Sequence, residues 1–337
     1  MSTPHTIIIA EAGVNHNGSV ETAIEMIRRA ADAGVDYVKF QTFRAESLVS
    51  ASAPQAEYQK ENCGGDGTQL TMLRRLELTH NDFIRLSGEC SRYGVGFMST
   101  PFDMQSIDFL ATLGMDYWKI PSGEITNLPY LRRIAARGGR VILSTGMSTL
   151  DEVEAAVKAL NDGGIDKSDI YLLHCTTQYP TPPEAVNLRA MDTLKSLRCA
   201  GVGYSDHTRG ITVPIAAAAR GAEIIEKHFT LDRNMEGPDH KASLEPDELK
   251  AMVTAIRDTE RALGSTLKTV TDIERPNIVI ARKSIVASRH IRKGELLTEE
   301  NLTTKRPGSG ISPMRWDSVI GTTAVRDFYP DEQISIF

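Results

Sequence analysis

The feature that most constrains the fold is an eightfold alternation of short apolar runs with amphipathic helical patterns. Several runs are almost continuously hydrophobic, as is typical of parallel strands covered on both faces. The helical patterns between them, such as 19–34 and 149–164, begin with a capping Ser or Thr and end in Gly. The eight predicted strands span 6–13, 36–42, 95–100, 116–124, 140–146, 170–177, 201–206 and 223–230.

Eight strand–helix repeats predict an α/β fold, the (β/α)8 TIM barrel, within residues 1–265. A doubly wound parallel sheet is the alternative, but no G-x-G-x-x-G motif follows the first predicted strand. The stretch 246–264 is predicted to be the closing helix, and a polar linker follows over 266–280. Residues 281–337 carry short β-type runs and turns, which predicts a separate small β-rich domain.

The longest interruption between predicted strands is the polar, Gly/Ser-rich segment 44–70. It follows the second strand, and the loops after barrel strands lie at the face where active sites form. We therefore expect either a loop that covers a substrate or a mobile insertion.

Composition excludes several classes of function. The chain has 38 basic and 44 acidic residues, a net charge of -6, so it lacks the basic surface that nucleic acids or anionic membranes require. No apolar stretch approaches a membrane span, and the N-terminus lacks the features of a signal peptide. The four cysteines form no C-x-x-C pair, which favours reduced thiols and a cytoplasmic location.

Two histidines, His207 and His228, end the seventh and eighth predicted strands. The small-residue helix 210–222 connects these strands, and a βαβ unit makes its two strands parallel neighbours. Both imidazoles then lie at the same end of the barrel, where neutral histidines can bind a divalent metal. The alternative is an unrelated pair, one a core residue and the other a helix cap.

The other predicted strands also end in polar residues, at the barrel face that carries active sites. Lys39 and Lys119 among several hydroxyls would suit a phosphate or a phosphorylated carboxylate, and Glu124 is a candidate for water activation or proton transfer. Each residue alone has an ordinary structural role, as a turn, a cap or a solvated charge, but the combined pattern favours a site. The set comprises Glu11, Asn15, His16, Asn17, Lys39, Gln41, Thr42, Ser99, Thr100, Lys119, Ser122, Glu124, Ser144, Thr145, His174, Thr176, Thr177, Gln178, Tyr179, Ser205, Asp206, His207, Lys227 and His228.

Several motifs resemble the bacterial sialic acid (N-acetylneuraminate) synthase family, which includes the legionaminic acid synthases. The resemblance runs in order through the whole chain and implies a TIM barrel followed by a small antifreeze-like (SAF) domain. It also implies condensation of phosphoenolpyruvate with an N-acylated amino sugar to a nine-carbon 2-keto acid. The motifs are EAGVNHNGS, VKFQTF, STPFD, WKIPSGE, LSTGM, HCTTQYPTP, GYSDHT, EKHFTLD, GPDHKASLEPDEL and TTKRPGSGISP.

The resemblance implies a role for each matching residue. His207 and His228 would bind Mn²⁺ or Mg²⁺, which would hold the aldehyde oxygen of the open-chain sugar, and Glu124 would position the water. Glu11 would lie on the sugar side of the catalytic site. The phosphoenolpyruvate site would comprise Lys39, Thr100, Lys119, Ser122, Ser144 and Ser205, and the amino-sugar site would comprise Gln41, Tyr179, Asp239 and Arg306.

The family resemblance also implies a domain-swapped homodimer, in which Arg306 reaches the acyl group of a sugar bound by the partner. We expect N-acetylmannosamine as the sugar and N-acetylneuraminate as the product. The alternative is an N,N'-diacetyllegionaminate synthase that uses 2,4-diacetamido-2,4,6-trideoxymannose, because Thr177 stands where some sialic acid synthases carry Asn. A different chemistry, a Schiff-base aldolase that uses Lys39 or Lys119, is a further alternative.

Overall fold

The computed structural model describes residues 5–50, 52–55, 62 and 68–336. The chain divides into two compact units, Met1–Gly264 and Ser265–Phe337. Within the described residues, no helix combines the length and the apolar character that crossing a membrane needs.

The first unit contains a sheet of eight strands that all run parallel. Its order is β3-β2-β1-β8-β7-β6-β5-β4, and β3 lies beside β4, so the sheet closes as the predicted TIM barrel. The strands are β1 Ile7–Gly13, β2 Tyr37–Thr42, β3 Gly96–Pro101, β4 Tyr117–Ile120, β5 Arg140–Ser144, β6 Ile170–Cys175, β7 Gly201–Asp206 and β8 Ile224–His228.

Helices connect the strands and cover the outside of the barrel. Their starts follow from the capping residues in the sequence: the side chains of Ser19, Thr79 and Thr149 each accept a backbone hydrogen bond at a helix start. The helices of the first unit are α1 Val20–Ala33, α2 Ala45–Leu48, α3 Gln69–Leu76, α4 His80–Tyr93, α5 Met104–Leu110, α6 Leu128–Ala135, α7 Leu150–Asp162, α8 Ala190–Lys195, α9 Thr212–Ala219 and α10 Pro246–Leu263.

The barrel packs two apolar layers. Inside the strands, the buried side chains of Ile9, Met98, Ile142, Leu173 and Ile224 fill the lower part of the barrel. A larger layer lies between the outward faces of the strands and the surrounding helices. Because side chains alternate between the two faces of a strand, the polar residues further along the inward face are directed into the upper part of the barrel.

Two predicted segments differ from the structure. The fourth strand ends at Ile120 instead of residue 124, and a 3-10 turn over Ser122–Glu124 follows it. Pro121 ends the strand because it lacks the N–H that would continue the ladder. The described parts of segment 44–70 are partly helical: α2 and the start of α3 pack into an apolar cluster with Val14 and Phe43. Residues 51, 56–61 and 63–67 of this predicted loop lie outside the described residues.

The second unit has its own small core, which includes Ile285, Ile291, Phe328 and Ile334. It pairs strands β9 and β10 in antiparallel fashion and includes two short helices. Part of the predicted linker 266–280 is helical: a short helix begins at Arg275, with Pro276 in its first turn, and ends at Ala281. The elements are β9 Ser284–Ala287, β10 Leu302–Lys305, α11 Arg275–Ala281 and α12 Trp316–Val319.

Two Gly-to-Ala substitutions should have opposite effects on stability, because Gly203 in β7 is closely packed and Gly88 in α4 is exposed. A Cβ at Gly203 would lie 2.3 Å from the carbonyl oxygen of Ile224 and 2.6 Å from a methyl of Leu173, whereas Gly88 in α4 is exposed with nothing nearby. Gly203→Ala should lower the free energy of unfolding by about 2–3 kcal/mol, as overpacking does. Gly88→Ala should raise it by roughly 0.5–1 kcal/mol. Urea unfolding of both variants measures this, and an equal or more stable Gly203→Ala protein would contradict the packing.

Candidate active site

A cavity of about 470 Å³ opens at the carboxyl ends of the barrel strands. Of the residues to which the family resemblance assigns roles, all except Glu124 and Arg306 line it. Thr177 of the predicted strand-end set also lines it, whereas other members of that set, such as Asp206 and Lys227, do not. Its other walls include apolar side chains from α2, α3 and the loops after β1, β3 and β5. The predicted residues are Glu11, Lys39, Gln41, Thr100, Lys119, Ser122, Ser144, Tyr179, Ser205, His207, His228 and Asp239, and the apolar ones are Val14, Leu48, Val49, Met72, Leu73, Leu76, Phe102 and Met147.

Two buried lysines and two buried carboxylates form an ionic network in this cavity. Lys39 Nζ lies 2.5 Å from Glu11 Oε2 and 3.6 Å from Glu226 Oε2. Lys119 Nζ lies 3.7 Å from Glu226 Oε1, so Glu226 joins the two lysines. Each charge needs a partner here, because burial strongly disfavours an unpaired ion.

The network shifts the pKa values of the two lysines in opposite directions. Burial opposes the charge of Lys39, but Glu11 and Glu226 outweigh it and raise the pKa of this lysine. Burial lowers the pKa of Lys119, and the attraction of Glu226 only partly offsets it. Burial also acts against ionisation of Glu226, yet Lys119 and Lys39 hold the pKa of this carboxyl at about 2. Lys39 and Glu226 are therefore charged near neutral pH.

Hydroxyl groups complete the surroundings of the lysines. Lys39 Nζ donates to Thr100 Oγ1 at 3.1 Å, and Lys119 Nζ donates to Ser144 Oγ at 2.7 Å. Ser205 Oγ donates to Glu226 Oε1 at 2.8 Å. Ammonium groups and hydroxyl donors around one space provide the contacts that a phosphate or a carboxylate requires.

Ser122 also lines this cavity. Its Oγ accepts a hydrogen bond from the Gly146 backbone N–H at 3.0 Å and lies 3.2 Å from Cys175 Sγ. A Cβ at Gly146 would lie 2.7 Å from Thr177 and 2.9 Å from both Cys175 Sγ and Ser122 Oγ. Only glycine lets the backbone approach these side chains so closely.

The two predicted metal-binding histidines lie side by side. The ring centroids of His207 and His228 are 5.5 Å apart, and the ring of Tyr179 lies 4.1 Å from that of His207. His207 Nδ1 lies 2.5 Å from the carbonyl oxygen of Thr176, so Nδ1 carries the proton and Nε2 carries the lone pair. Burial lowers the pKa of His207 to about 4, and burial together with His207 lowers the pKa of His228.

The donor set of this pair fits a divalent metal. His228 Nδ1 is buried without a hydrogen-bond partner, an unsatisfied position that a ligand at the site would explain. Metal binding needs neutral imidazoles, which is the form that burial favours here. Among the described residues, no group of three or more His, Cys, Asp or Glu side chains could hold a metal together. Two histidines would thus leave positions open for substrate and water.

A polar network holds the loop that carries Asp239 over the cavity. His240, fully buried in this loop, contacts Thr230 Oγ1 at 2.7 Å through Nδ1 and Asn17 Oδ1 at 3.2 Å through Nε2. Asn15 donates to Ser243 Oγ at 2.9 Å, and Ser243 Oγ donates to the Asp239 carbonyl at 2.7 Å. Asn15 and Asn17 were predicted strand-end site residues, but their side chains brace this loop.

Glu124 and Arg306 do not line the cavity. Glu124 lies in the turn after β4, where its Oε2 accepts a hydrogen bond from Asn127 Nδ2 at 2.6 Å. Arg306 lies in the second unit, where its Nε donates to the Ala281 carbonyl at 3.0 Å. Water positioning by Glu124 and recognition of the sugar by Arg306 stay predictions.

Sequence reasoning missed Glu226 as a site residue. It precedes His228 by two residues on β8, and alternating side chains place both on the inward face. This spacing was a usable signal, because His228 was already predicted to face the cavity. Cys175 and the Gly146 backbone were also missed as site residues, although the motifs HCTTQYPTP and LSTGM contain them.

Two family models match the chain and together cover most of it. The NeuB family model matches residues 26–268, and the SAF domain model matches residues 282–336. The chain belongs to the NeuB family. This membership confirms the resemblance seen in the motifs and the predicted combination of a TIM barrel with an SAF domain.

Three proteins of stated name are similar to this chain over most of their length. An N,N'-diacetyllegionaminic acid synthase of Campylobacter jejuni is 51% identical, with 98% of each chain covered. A protein of the same name from Legionella pneumophila is 48% identical over 94% of this chain and 89% of its own. The crystal structure of the N-acetylneuraminic acid synthetase from Leptospira borgpetersenii has a TM-score of 0.71 at 36% identity, covering 81% of this chain and 90% of that one.

Burial of Asp239 predicts a pH-dependent stability. Desolvation, with Glu11 adding to it, raises the pKa of Asp239 to about 7. The folded protein therefore binds a proton that the unfolded chain releases near its ordinary pKa, so this proton stabilises the fold at low pH. That stability is lost as the pH rises through about 7.

Comparison with Asp239→Asn isolates this effect from other titrating groups. Between pH 8 and pH 5 the wild type should gain about 2–3 kcal/mol of unfolding free energy relative to the variant. Urea unfolding at both pH values measures the difference. A difference that stays constant with pH would show that Asp239 ionises normally.

Proposed function

We propose that this NeuB-family protein condenses phosphoenolpyruvate with 2,4-diacetamido-2,4,6-trideoxymannose and water. The products would be N,N'-diacetyllegionaminate and phosphate. The observation that carries the reaction type is the cavity itself: two buried lysines with hydroxyl donors lie beside a pair of neutral histidines. The first group suits the anionic phosphoenolpyruvate, and the second could hold a divalent cation that would polarise the sugar aldehyde.

The sugar now favoured is the alternative of the sequence analysis instead of N-acetylmannosamine. Two similar relatives, at 51% and 48% identity, are named N,N'-diacetyllegionaminic acid synthases. The apolar side chains of α3 in the cavity wall, Met72, Leu73 and Leu76, support this choice. A 6-deoxy sugar with a second acetamido group has a methyl at C6 and another on the C4 substituent, and both would gain from apolar contact.

In the proposed mechanism, Lys39 and Lys119 bind the carboxylate and phosphate of phosphoenolpyruvate, helped by Thr100 and Ser144. A divalent cation held by His207 and His228 would supply Lewis-acid polarisation of the sugar aldehyde. C3 of the enol phosphate attacks the aldehyde carbon, and water adds to C2. The tetrahedral species then loses phosphate by C–O cleavage. Preorganised ammonium and hydroxyl groups stabilise the charge that develops along this path.

The Schiff-base aldolase is less favoured. Its lysine must be an uncharged amine in order to attack a carbonyl. Lys39 pairs with Glu11 and has a raised pKa, which keeps it as an ammonium group. This argument applies to Lys39 and not to Lys119, whose pKa burial lowers. Membership of the NeuB family supports the phosphoenolpyruvate-dependent reaction.

The proposal predicts a clear preference between the two sugars. Purified protein with Mn²⁺ and phosphoenolpyruvate should release phosphate with either sugar, with kcat/KM at least about tenfold higher for the diacetamido sugar. One or two apolar contacts supply a difference of that size. Mass spectrometry identifies each product, and H₂¹⁸O should leave no label in the released phosphate. An equal or higher kcat/KM for N-acetylmannosamine would contradict the proposed sugar.

Metal removal tests the proposed cation separately. Chelation should abolish phosphate release with both sugars, and Mn²⁺ or Mg²⁺ should restore it. Nitrogen ligands favour the transition-metal ion, so Mn²⁺ should act at lower concentration. Full turnover after complete metal removal would exclude the metal role and leave the sugar preference untouched.

The predicted homodimer supplies a complementation test of Arg306. If Arg306 of one subunit contacts the sugar of the partner, Arg306→Ala and His228→Ala remove different parts of each site. A mixed dimer then contains one site with both residues intact, whereas each parent homodimer contains none. Mixing the two inactive variants should restore about one quarter of wild-type activity, by random pairing of subunits. Restoration that fails despite proven subunit exchange would place Arg306 in its own subunit's site.

A further inference from the structure

A fully buried ion pair lies directly behind the two histidines. Lys227 Nζ is 2.5 Å from Asp206 Oδ2, and both side chains have 0% exposure. Asp206 and Lys227 immediately precede His207 and His228 in sequence. Because alternate residues of a strand face opposite sides, this pair faces the helices while the histidines face the cavity.

The ion pair coincides with the end of the β7–β8 ladder. The register of the two strands pairs Tyr204 with Ile225 and continues to Asp206 opposite Lys227, the last paired position. Beyond that position, backbone pairing no longer joins β7 to β8. The side chains of Asp206 and Lys227 thus form the last direct link between β7 and β8 before the histidines.

The same carboxylate shapes the turn that carries His207. Asp206 Oδ1 accepts from the Thr208 backbone N–H at 3.0 Å, and Asp206 Oδ2 accepts from Thr208 Oγ1 at 3.0 Å. Lys227 Nζ also donates to the Thr208 carbonyl oxygen. Asp206 and Thr208, which flank His207, therefore both contact Lys227, which precedes His228.

Other contacts hold each histidine to a different part of the barrel. His207 contacts Thr176 through its ring, and its carbonyl accepts from the Thr181 N–H at 2.8 Å. His228 lies opposite Glu11 in the ladder between β8 and β1. The Thr176 contact fixes the ring of His207, and the ladder fixes the backbone of His228. The ring of Tyr179 contacts both imidazoles, at 4.1 Å from His207 and 5.6 Å from His228. Tyr179 follows β6, so none of these contacts connects β7 directly to β8.

We propose that the Asp206–Lys227 ion pair positions His207 and His228 relative to each other for a shared divalent cation. The inference rests on the metal role given under Proposed function. It assigns to the two residues a positioning role, since neither faces the cavity. Well-packed apolar residues can often replace a buried ion pair without loss of stability. Overall stability alone therefore does not explain why this ion pair lies directly behind the two histidines.

The experiment compares Mn²⁺ binding by three proteins, using electron paramagnetic resonance and calorimetry without any substrate. Asp206→Asn with Lys227→Met removes both charges together, so no unpaired buried charge remains, and the amide oxygen can still accept from Thr208. The control is Glu260→Gln with Arg257→Met, although Arg257 also pairs with the partly exposed Asp36 at 2.9 Å. The Arg257–Glu260 pair, with nitrogen and oxygen 2.8 Å apart, binds the backbone of Thr6 before β1, at the opposite end of the barrel.

The Kd for Mn²⁺ should rise about 10–100-fold in the Asp206→Asn, Lys227→Met protein, as is typical when the groups that orient metal ligands are removed. It should stay within about twofold in the control, even if thermal unfolding shows a similar loss of stability in both variants. An unchanged Kd in the folded Asp206→Asn, Lys227→Met protein would overturn the inference. Wild-type protein that fails to bind Mn²⁺ would instead overturn the metal role itself.

Thr208→Val keeps the test decisive if the double variant does not fold. This substitution is nearly isosteric and removes one hydrogen bond to Asp206 while leaving the ion pair. The Kd for Mn²⁺ should rise about threefold, less than in the double variant, since only one of the hydrogen bonds that shape the His207 turn is lost. A folded Thr208→Val protein with unchanged affinity would overturn the Asp206–Thr208 contact as the route by which the ion pair positions His207.

Discussion

The parallel register of eight closed strands is the constraint on which the cavity depends. It brings all carboxyl ends of the strands to one rim, although the residues there come from positions 11 to 228. Because successive side chains of a strand point to opposite faces, neighbouring polar residues at a strand end lie on different sides of the sheet. Glu226 and His228 face the cavity, whereas Asp206 and Lys227 form a buried pair on the other face. The same short sequence thus contributes to the site and to its support.

Charge balance is the second organising principle of the site. Lys39 and Lys119 are buried where a bare ammonium group would be costly, and Glu11 and Glu226 compensate for them. This pairing therefore preserves the positive charges that the proposed anionic substrate would need. Phosphoenolpyruvate would compete with these carboxylates for the lysines, and a divalent cation on the neighbouring histidines would offset the added negative charge.

The rim of the barrel combines different kinds of surface. The loop of Asp239 is braced by buried polar contacts of Asn15, Asn17 and His240, while α2 and α3 contribute an apolar wall. Rigid polar support allows a loop to hold a side chain over a cavity, since every buried donor or acceptor must find a partner. An apolar wall opposite polar groups suits a sugar that carries acetamido and methyl groups.

Strand periodicity and repeat count are local signals, so the sequence by itself predicted the barrel, a small β-rich C-terminal domain and many residues of the cavity. The motif resemblance added the SAF assignment, which the family models confirm. It could predict that Lys39 and Gln41 share a face, but not that Glu226 lies between Lys39 and Lys119. That arrangement depends on distances across the closed barrel, which no local pattern encodes. Tertiary structure decided three further features for the same reason. These are the position of Glu124 in a turn, the helical parts of segment 44–70 and the bracing roles of Asn15 and Asn17. The partners of these polar side chains come from distant parts of the sequence, so they are defined only in the closed barrel.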